Sequence, residues 1–400
     1  MAIYIVRPKK SLLARFPGLA SRKISAGERE AQIKEVAQLW QEDPTYREVR
    51  EWIDEARGYV TPISTNLDYP TLTGTTLVEM SEEEAERMRR ELPKDVAILE
   101  DRPIELIRPF QDATTAKDTL SDGDIWHLQA IARSKSGKKG QNVKIAVFDT
   151  GIEANHPEIR GKVAESYVFN SRGPAIEETT EFKDTHGHGT HVAGLICGNR
   201  VGVAPEAELI NVTMIPRGVG SITNFIITLE WLPWSRPDIR IVNVSAGLSA
   251  QYREQMSGAI EDLLLFGVLP ICAIGNEGRN TTRSPGNCQG VLSVGATNSN
   301  GEVWGNSSSA TMIVDSQQYD VPYLVAPGAE VYSSVMGGGY EAWSGTSMAT
   351  PIVSGIAALI IEENPDITGS DLKEALLRQC QTLVGDLPER QGKGLIQVAL

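Results

Sequence analysis

The chain has 400 residues, 41% of them hydrophobic and 22% charged, and a formal net charge of -14. This length allows two or three domains with sizeable cores, and the composition is that of an ordinary soluble globular chain. The negative charge argues against nucleic acid as a partner, because phosphate backbones would be repelled. No apolar run reaches the about 18 residues that a membrane helix needs, so we expect no membrane partner.

The beginning of the chain predicts a small α+β unit. Residues 3–6 and 75–80 are strand candidates, and residues 96–99 form another. Between the last two, Ser81 and Glu84 have the spacing of a capping box at the start of a helix. We assign this N-terminal unit to residues 1–108.

A long charged stretch interrupts the N-terminal unit. Residues 28–57 predict two helices broken near Pro44. This helical insertion is either an added contact surface or a solvated pair of helices, and we favour the second. Residues 109–123 are polar and have the composition of a linker.

Three later motifs each place a reactive side chain next to a regular element. The apolar run 144–148 is typical of a strand buried on both faces, and it puts Asp149 at the carboxyl end where open α/β sheets hold their ligands. His188 opens a predicted helix rich in small residues. Ser347 follows Gly345 and begins a long apolar helix, so its own N–H is free to bind an oxyanion.

These residue types have defined parts in acyl transfer, because a serine hydroxyl needs a histidine base and a carboxylate that orients the base. Their order in the chain is Asp, His, Ser, which is the order in subtilisin. Another apolar strand candidate leads to Gly275 and Asn276, and an amide there is suited to an oxyanion. Ser245, Ala246 and Gly247 end a further strand and offer backbone groups to an extended peptide.

From about Trp126 to its C-terminus the chain resembles the subtilisin-like serine proteases, or subtilases. The resemblance rests on the motifs above and on residues 202–205, 326–328 and 392–396. It implies an α/β domain with a central parallel sheet flanked by helices, at residues 124–400, and endopeptidase activity on a peptide or protein substrate. It also implies site residues: the triad Asp149, His188 and Ser347, the oxyanion donor Asn276, and the substrate-binding strand Ser245 to Gly247.

The N-terminal unit resembles the inhibitory pro-domain of many subtilases. We therefore expect it to be a partner of its own protease domain, with residues from about Ile104 onward lying in the cleft as a product-like plug. The alternative is an accessory or recognition domain. Self-cleavage between Arg108 and Pro109 is disfavoured, because proline on the leaving side fits serine proteases poorly. We expect it within the linker, at the bond after Phe110, Asp112 or Asp118.

The resemblance also implies a pocket for the residue that precedes the cut. Gly275 and Glu277 lie at its rim and Arg283 toward its base. A buried guanidinium would favour an acidic side chain in the substrate. The alternative, which is equally open, is that Arg283 pairs with Glu277 or points to solvent.

We expect no cofactor and no metal. His186, His188 and His191 have a spacing that zinc sites use, but no carboxylate or cysteine partner is evident. Residues 197–203 form a shorter loop than the calcium-holding loop of many secreted subtilases, and Arg200 is a poor neighbour for a cation.

The cysteines and the first residues indicate the cytoplasm. The four cysteines have no paired spacing and are expected to be free thiols, and the start of the chain lacks the layout of a secretory signal. Selective maturation of a peptide or protein precursor competes with general protein turnover as the role. Two rival hypotheses are a catalytically silent peptide-binding module and an enzyme that its N-terminal unit inhibits permanently.

Overall fold

A computed structural model describes residues 1–20, 22, 26–63, 69–111, 113–169, 175–314 and 316–399. The strands are β1 (Ala2–Pro8), β2 (Thr61–Pro62), β3 (Thr76–Met80), β4 (Val96–Glu100), β5 (Pro103–Leu106), β6 (Phe110–Gln111), β7 (Lys144–Asp149), β8 (Val163–Phe169), β9 (Ile176–Glu178), β10 (Glu208–Thr213), β11 (Val219–Ser221), β12 (Ile241–Val244), β13 (Ala246–Ser249), β14 (Leu269–Ala273), β15 (Arg283–Ser284), β16 (Leu292–Thr297), β17 (Ala310–Val314), β18 (Gln317–Val321), β19 (Leu324–Pro327), β20 (Val331–Ser334), β21 (Tyr340–Ser344), β22 (Cys380–Gln381) and β23 (Leu395–Ile396).

The α-helices are α1 (Leu12–Arg15), α2 (Pro17–Ala20), α3 (Arg29–Glu42), α4 (Pro44–Glu55), α5 (Glu82–Glu91), α6 (Trp126–Ala130), α7 (His188–Cys197), α8 (Ile222–Ser235), α9 (Ser257–Glu261), α10 (Thr346–Glu363), α11 (Gly369–Arg378) and α12 (Pro388–Gln391). Short 3₁₀ turns lie at Ala26–Glu28, Ala113–Thr115, Arg133–Lys135, Pro216–Gly218, Ala250–Gln255 and Asp262–Phe266. Among the described residues, none of these helices is long and apolar enough to cross a membrane.

The N-terminal unit contains an antiparallel sheet in the order β2-β3-β1-β4. The apolar side chains of β1, β3, α4 and α5 form a core of their own, in which Val6, Val49, Val78 and Met88 are buried. The hydroxyl of Ser81 accepts from the amide of Glu84 at 3.2 Å, as the capping box requires.

The helical insertion lies against the rest of the protein, contrary to the solvated pair that we favoured. Asp43 separates α3 from α4 and caps α4 through the amide of Tyr46, at 2.8 Å. The apolar face of α3, with Ile33, Val36 and Trp40, is buried in one continuous core with the large sheet. The charge pattern concealed this contact, because the exposed face of the same helix carries the charges.

The large sheet has ten strands in the order β22-β23-β19-β16-β14-β12-β7-β10-β8-β9. The strands from β23 to β8 pair in parallel, and the pairs at the two edges are antiparallel. The buried helix α10 packs on β12, β14, β16 and β19, and α7 packs on α10. This arrangement confirms the predicted α/β class with a central parallel sheet flanked by helices. It brings the carboxyl ends of β7, β12 and β14 to one edge.

Candidate active site

The carboxyl end of β7 and the first turn of α7 bring an acid and a base together. The Nδ1 atom of His188 lies 2.8 and 3.0 Å from the two carboxylate oxygens of Asp149, and both side chains are fully buried. The amide of Thr150 also donates to Asp149, at 2.7 Å. The ring of His188 therefore carries its proton on Nδ1, which leaves Nε2 as a basic nitrogen.

A second carboxylate fixes the start of α7. Asp184 accepts from the amide and the hydroxyl of Thr190, at 2.8 and 2.7 Å, and from the hydroxyl of Thr150, at 2.7 Å. It thus satisfies a free amide of the first helical turn and ties that turn to the end of β7. The sequence analysis missed Asp184, although an aspartate just ahead of a helix start is a recognisable capping signal.

Ser347 lies in the first turn of α10, fully buried. Gly345 allows another part of the chain to come close, because an added Cβ there would lie 3.0 Å from Asn276 Nδ2 and 3.4 Å from Pro109. Pro351 is the sixth residue of α10, beyond its first turn. Its missing N–H leaves the carbonyl of Ser347 without its usual helical donor, and the hydroxyl of Ser245 lies 3.4 Å from that oxygen.

The amide of Asn276 is held by its own oxygen, which accepts from the N–H and the hydroxyl of Thr346 at 2.8 and 3.0 Å. Its Nδ2 consequently points into the cleft, where it donates to the carbonyl of Arg108 at 2.9 Å. Asn276 and the N-terminus of α10 thus meet at one place, as a pair of oxyanion donors requires.

A segment of the chain already occupies this cleft. Strand β5 lies between β11 and β13, with Ile104 opposite Gly220 and Glu105 opposite Gly247. The amide of Ile107 then donates to the carbonyl of Ser245 at 3.4 Å. The predicted binding strand Ser245 to Gly247 is therefore in contact with an extended segment, and this segment begins near Ile104 as expected from the sequence.

Ser347 and Asn276 contact two different carbonyl groups. The hydroxyl of Ser347 donates to the carbonyl of Ile107 at 3.0 Å, whereas Asn276 Nδ2 binds the carbonyl of the next residue, Arg108. In the part of the chain that the structure describes, His188 Nε2 is buried and has no hydrogen-bond partner. Cleavage by a serine nucleophile needs one carbonyl to meet both the serine and an oxyanion donor, and the serine proton to face a histidine, so this geometry is unproductive for that reaction.

The linker continues along the other half of the cleft. Phe110 pairs with Ser344 of β21, and Lys117 forms a bridge with Tyr340. The bonds after Phe110 and Asp118 lie beyond the carbonyls that contact Ser347 and Asn276. Cleavage at either bond requires the segment to shift or a second molecule to cut it. The third expected bond, after Asp112, involves a residue outside the described ranges.

Of the two arrangements left open for Arg283, the structure has the pair with Glu277. Arg283 Nε and Nη2 both donate to Glu277, at 2.8 and 2.6 Å, so an acidic substrate would have to compete with a carboxylate already in place. Gly275 and Gly247 pack beside this pair, and an added Cβ on Gly247 would lie 3.1 Å from Arg283 Cβ and 3.3 Å from Ile107 Cδ1. The side chain of Ile107, from the bound segment, therefore lies beside Gly247.

The loop after α7 is closed by a carboxylate. Glu158 accepts from the amides of Arg200 and Val201, at 2.9 and 3.3 Å, and from the hydroxyl of Tyr340 at 2.7 Å. Within the described residues, no three or more His, Cys, Asp or Glu side chains are grouped to hold a metal. Of the histidines considered for zinc, His191 lies 3.2 Å from the carbonyl of Glu341, and burial lowers its pKa to about 3.

Comparisons with known proteins agree with this geometry. The subtilase family model (Peptidase_S8) matches residues 140–394. Subtilisin E of Bacillus subtilis (strain 168) is 33% identical over 284 residues, covering 68% of this chain and 69% of its own. M-protease of Shouchella clausii (strain KSM-K16) is 34% identical over 292 residues, 71% of each chain. An intracellular serine protease of Paenibacillus polymyxa is 34% identical over 274 residues, 64% of this chain and 79% of its own. The chain therefore belongs to the subtilase family and is a subtilisin-like serine endopeptidase.

Proposed function

We propose that Ser347, His188, Asp149 and Asn276 carry the peptidase reaction. The observation that supports this most directly is the meeting of Ser347 and Asn276 on neighbouring carbonyls of one extended segment, beside a histidine held by a buried aspartate. A catalytically silent module is disfavoured, because all four groups are present and His188 Nε2 has no hydrogen-bond partner among the described residues.

The steps follow from these positions. Ser347 Oγ forms a bond to the carbonyl carbon of the substrate while His188 Nε2 takes the hydroxyl proton. Asp149 holds the Nδ1 proton and stabilises the charged ring. The carbonyl oxygen, now negative, is bound by Asn276 Nδ2 and the Ser347 N–H. The C–N bond breaks as His188 gives its proton to the leaving amine, and water then releases the acid by the same route.

We propose further that the N-terminal unit, residues 1–108, is a tethered inhibitor and that the chain is made as a zymogen. Its last strand fills the cleft in the unproductive geometry described above. Pro109 follows directly and has no N–H, so the peptide beyond Arg108 is also a poor substrate.

Contacts outside the cleft support this role. Asp101 accepts from the amide of Thr223 at 3.0 Å, in the first turn of α8. Glu230, near the other end of α8, accepts from the amides of Leu72 and Thr73, at 2.5 and 3.1 Å. Asp262 accepts from Leu13 N at 2.8 Å, at the start of α1. The inhibitor is thus anchored at several places, and cutting the cleft segment alone would leave it bound.

For substrates, we propose an apolar side chain before the cut in place of the acidic one. Ile104, Leu106 and Ile107 of the bound segment are all buried. A peptide library digested by the processed enzyme tests this, and a preference for Asp or Glu would contradict it. A narrow profile would favour selective maturation of a precursor over general turnover.

We propose that the enzyme works inside the cell. Four free cysteines, three of them buried, suit a reducing compartment, and one relative is an intracellular serine protease by name. Expression of the native gene with a C-terminal tag, followed by fractionation, checks this; recovery from the medium alone would contradict it.

The decisive experiment compares the intact mass of the purified chain with that of Ser347→Ala. Loss of an N-terminal fragment from the parent alone establishes activity and locates the bond. Identical masses, together with no labelling of Ser347 by a fluorophosphonate after the N-terminal unit is removed by an added protease, would exclude the proposed chemistry. Labelling only after such removal indicates an enzyme that depends on another protease for release.

A further inference from the structure

An aromatic side chain covers the catalytic histidine. Trp343 of β21 is 4% exposed. Its ring lies parallel to the ring of His191, with centroids 4.3 Å apart and 7° between the planes. The ring of His188 lies 6.4 Å from the same indole at 26°. The His188 distance is within the range of about 4.5–7 Å in which aromatic pairs are usually found, and the His191 distance is slightly below it, as in a closely stacked pair.

Hydrogen bonds fix this arrangement from both sides. The indole N–H of Trp343 donates to the carboxylate of Glu341 at 3.0 Å, and His191 Nε2 contacts the backbone carbonyl of Glu341 at 3.2 Å. The hydroxyls of Ser333 and Ser334 donate to the carbonyls of His191 and Thr190. Strands β20 and β21 thereby clamp the first turns of α7.

The ring of His191 is uncharged, which suits its position between Trp343 and the rest of α7. It is fully buried, and its Nε2 contacts a carbonyl oxygen, so this nitrogen carries a proton. Burial lowers the pKa of the ring to about 3, which keeps the ring neutral. A neutral ring packs against the indole without adding a positive charge beside His188. This matters because His188 becomes positive during each acyl-transfer step.

We propose that Trp343 is a positioning residue for the peptidase reaction, stacked against His191 and His188 so that the catalytic imidazole keeps the orientation set by Asp149. This inference rests on the proposed role of His188. Asp149 holds one nitrogen of the ring, but a single hydrogen-bonded edge still allows the ring to tilt. The indole face restricts that tilt and excludes water from the His188–Asp149 contact.

The first test uses the intact chain with Ser347→Ala, which cannot process itself. The His188 Nδ1 proton is observed by NMR with ¹⁵N-labelled histidine, and its exchange with water is measured. With Trp343→Leu we expect exchange to be about three- to tenfold faster, the factor that corresponds to one lost aromatic contact. Trp343→Phe should restore slow exchange. Trp234→Leu is the control, because Trp234 also stacks on a ring, that of Tyr69, but away from the cleft.

Unchanged exchange in a folded Trp343→Leu variant would overturn the proposal. If that variant fails to fold, Glu341→Ala provides the test. It keeps the indole ring but removes the carboxylate that fixes its orientation, so faster exchange of the His188 Nδ1 proton is expected. Exchange at the parent rate in Glu341→Ala would then refute the role.

The second readout is kinetic. In processed enzyme counted by active-site titration, Trp343→Leu should lower kcat about three- to tenfold and leave KM unchanged. A change in KM alone would assign Trp343 to substrate binding and contradict the proposal. If the proposed triad is wrong, the result is different. Hydrolysis then survives Ser347→Ala, or the parent shows no slowly exchanging Nδ1 proton on His188.

Discussion

Glu230 offers a direct test of how the N-terminal unit is held. It lies on α8, and its carboxylate accepts from Thr71 Oγ1 at 2.6 Å, from the amides of Leu72 and Thr73 at 2.5 and 3.1 Å, and from Thr73 Oγ1 at 2.5 Å. Leu72 and Thr73 are buried. Glu230→Ala therefore leaves the buried amide of Leu72 without an acceptor, whereas the amide of Thr73 keeps a 3.3 Å contact with Thr71 Oγ1 and the hydroxyl groups can rotate toward other partners.

The size of the effect follows from the amide of Leu72. A buried donor without a partner costs about 1–3 kcal/mol, so its loss of an acceptor weakens docking by about 2 kcal/mol. This corresponds to a factor of roughly 30 in the equilibrium between docked and undocked states. Glu230→Gln keeps one acceptor oxygen and should show a smaller change.

Hydrogen exchange followed by mass spectrometry measures this equilibrium in the intact chain. With Ser347→Ala present in every variant, Glu230→Ala should accelerate exchange in peptides that cover residues 72–73 and β5 by that factor, because these amides lose their partners when the unit undocks. Glu51→Ala, on the exposed face of α4, is the matched control. If exchange in Glu230→Ala stays within about twofold of its parent, the anchor does not hold the unit and our reasoning fails.

Three other predictions concern catalysis, pH and stability. Asn276→Ala should lower kcat of the processed enzyme about 100- to 1,000-fold with little change in KM, and a loss below tenfold in steady-state assays would remove Asn276 from the oxyanion site. Burial raises the pKa of Asp262 to about 7, whereas an exposed aspartate has a pKa of about 3.9. Docking of the N-terminal unit is therefore strongest below about pH 3.9 and weakens as the pH rises through 7. Melting curves at pH values between about 4 and 8 should therefore lose part of their pH dependence in Asp262→Asn, and an unchanged dependence would contradict the assignment. Glu158→Ala removes the acceptor of three donors and should lower the melting temperature by about 5–10 °C in calorimetry, whereas a shift under about 2 °C would show that the loop is held by other contacts.

Much of the site was predictable because its residues lie in short motifs next to regular elements. Asp149 follows an apolar strand, His188 and Ser347 open helices, and Asn276 ends another strand, so parallel-sheet topology alone brings their elements to one edge. The resemblance to subtilases then supplied their proposed roles. The position of the cleft segment from Ile104 onward followed from the same resemblance.

Other features depend on contacts between residues far apart in the chain. The pairing of Arg283 with Glu277 depends on how the turn after β14 folds back to β15, and two outcomes were left open. The amphipathic face of α3 was obscured by its charges. The mismatch at Ile107 and Arg108 depends on the register of one residue, which a sequence pattern does not fix. The position of Trp343 beside His188 was not recognisable from the sequence, because a tryptophan in a strand usually only fills a hydrophobic core.

The continuous core shared by α3 and the large sheet has a consequence for the life of the enzyme. Once the N-terminal unit separates, Ile33, Val36 and Trp40 of α3 lose their cover and face water. The detached unit then has only its smaller core to keep it folded, and a loosened chain beside a freed peptidase is readily digested. If the N-terminal unit is the inhibitor that we propose, we expect activation to be irreversible, because each unit that leaves is destroyed and only newly made chains restore inhibition.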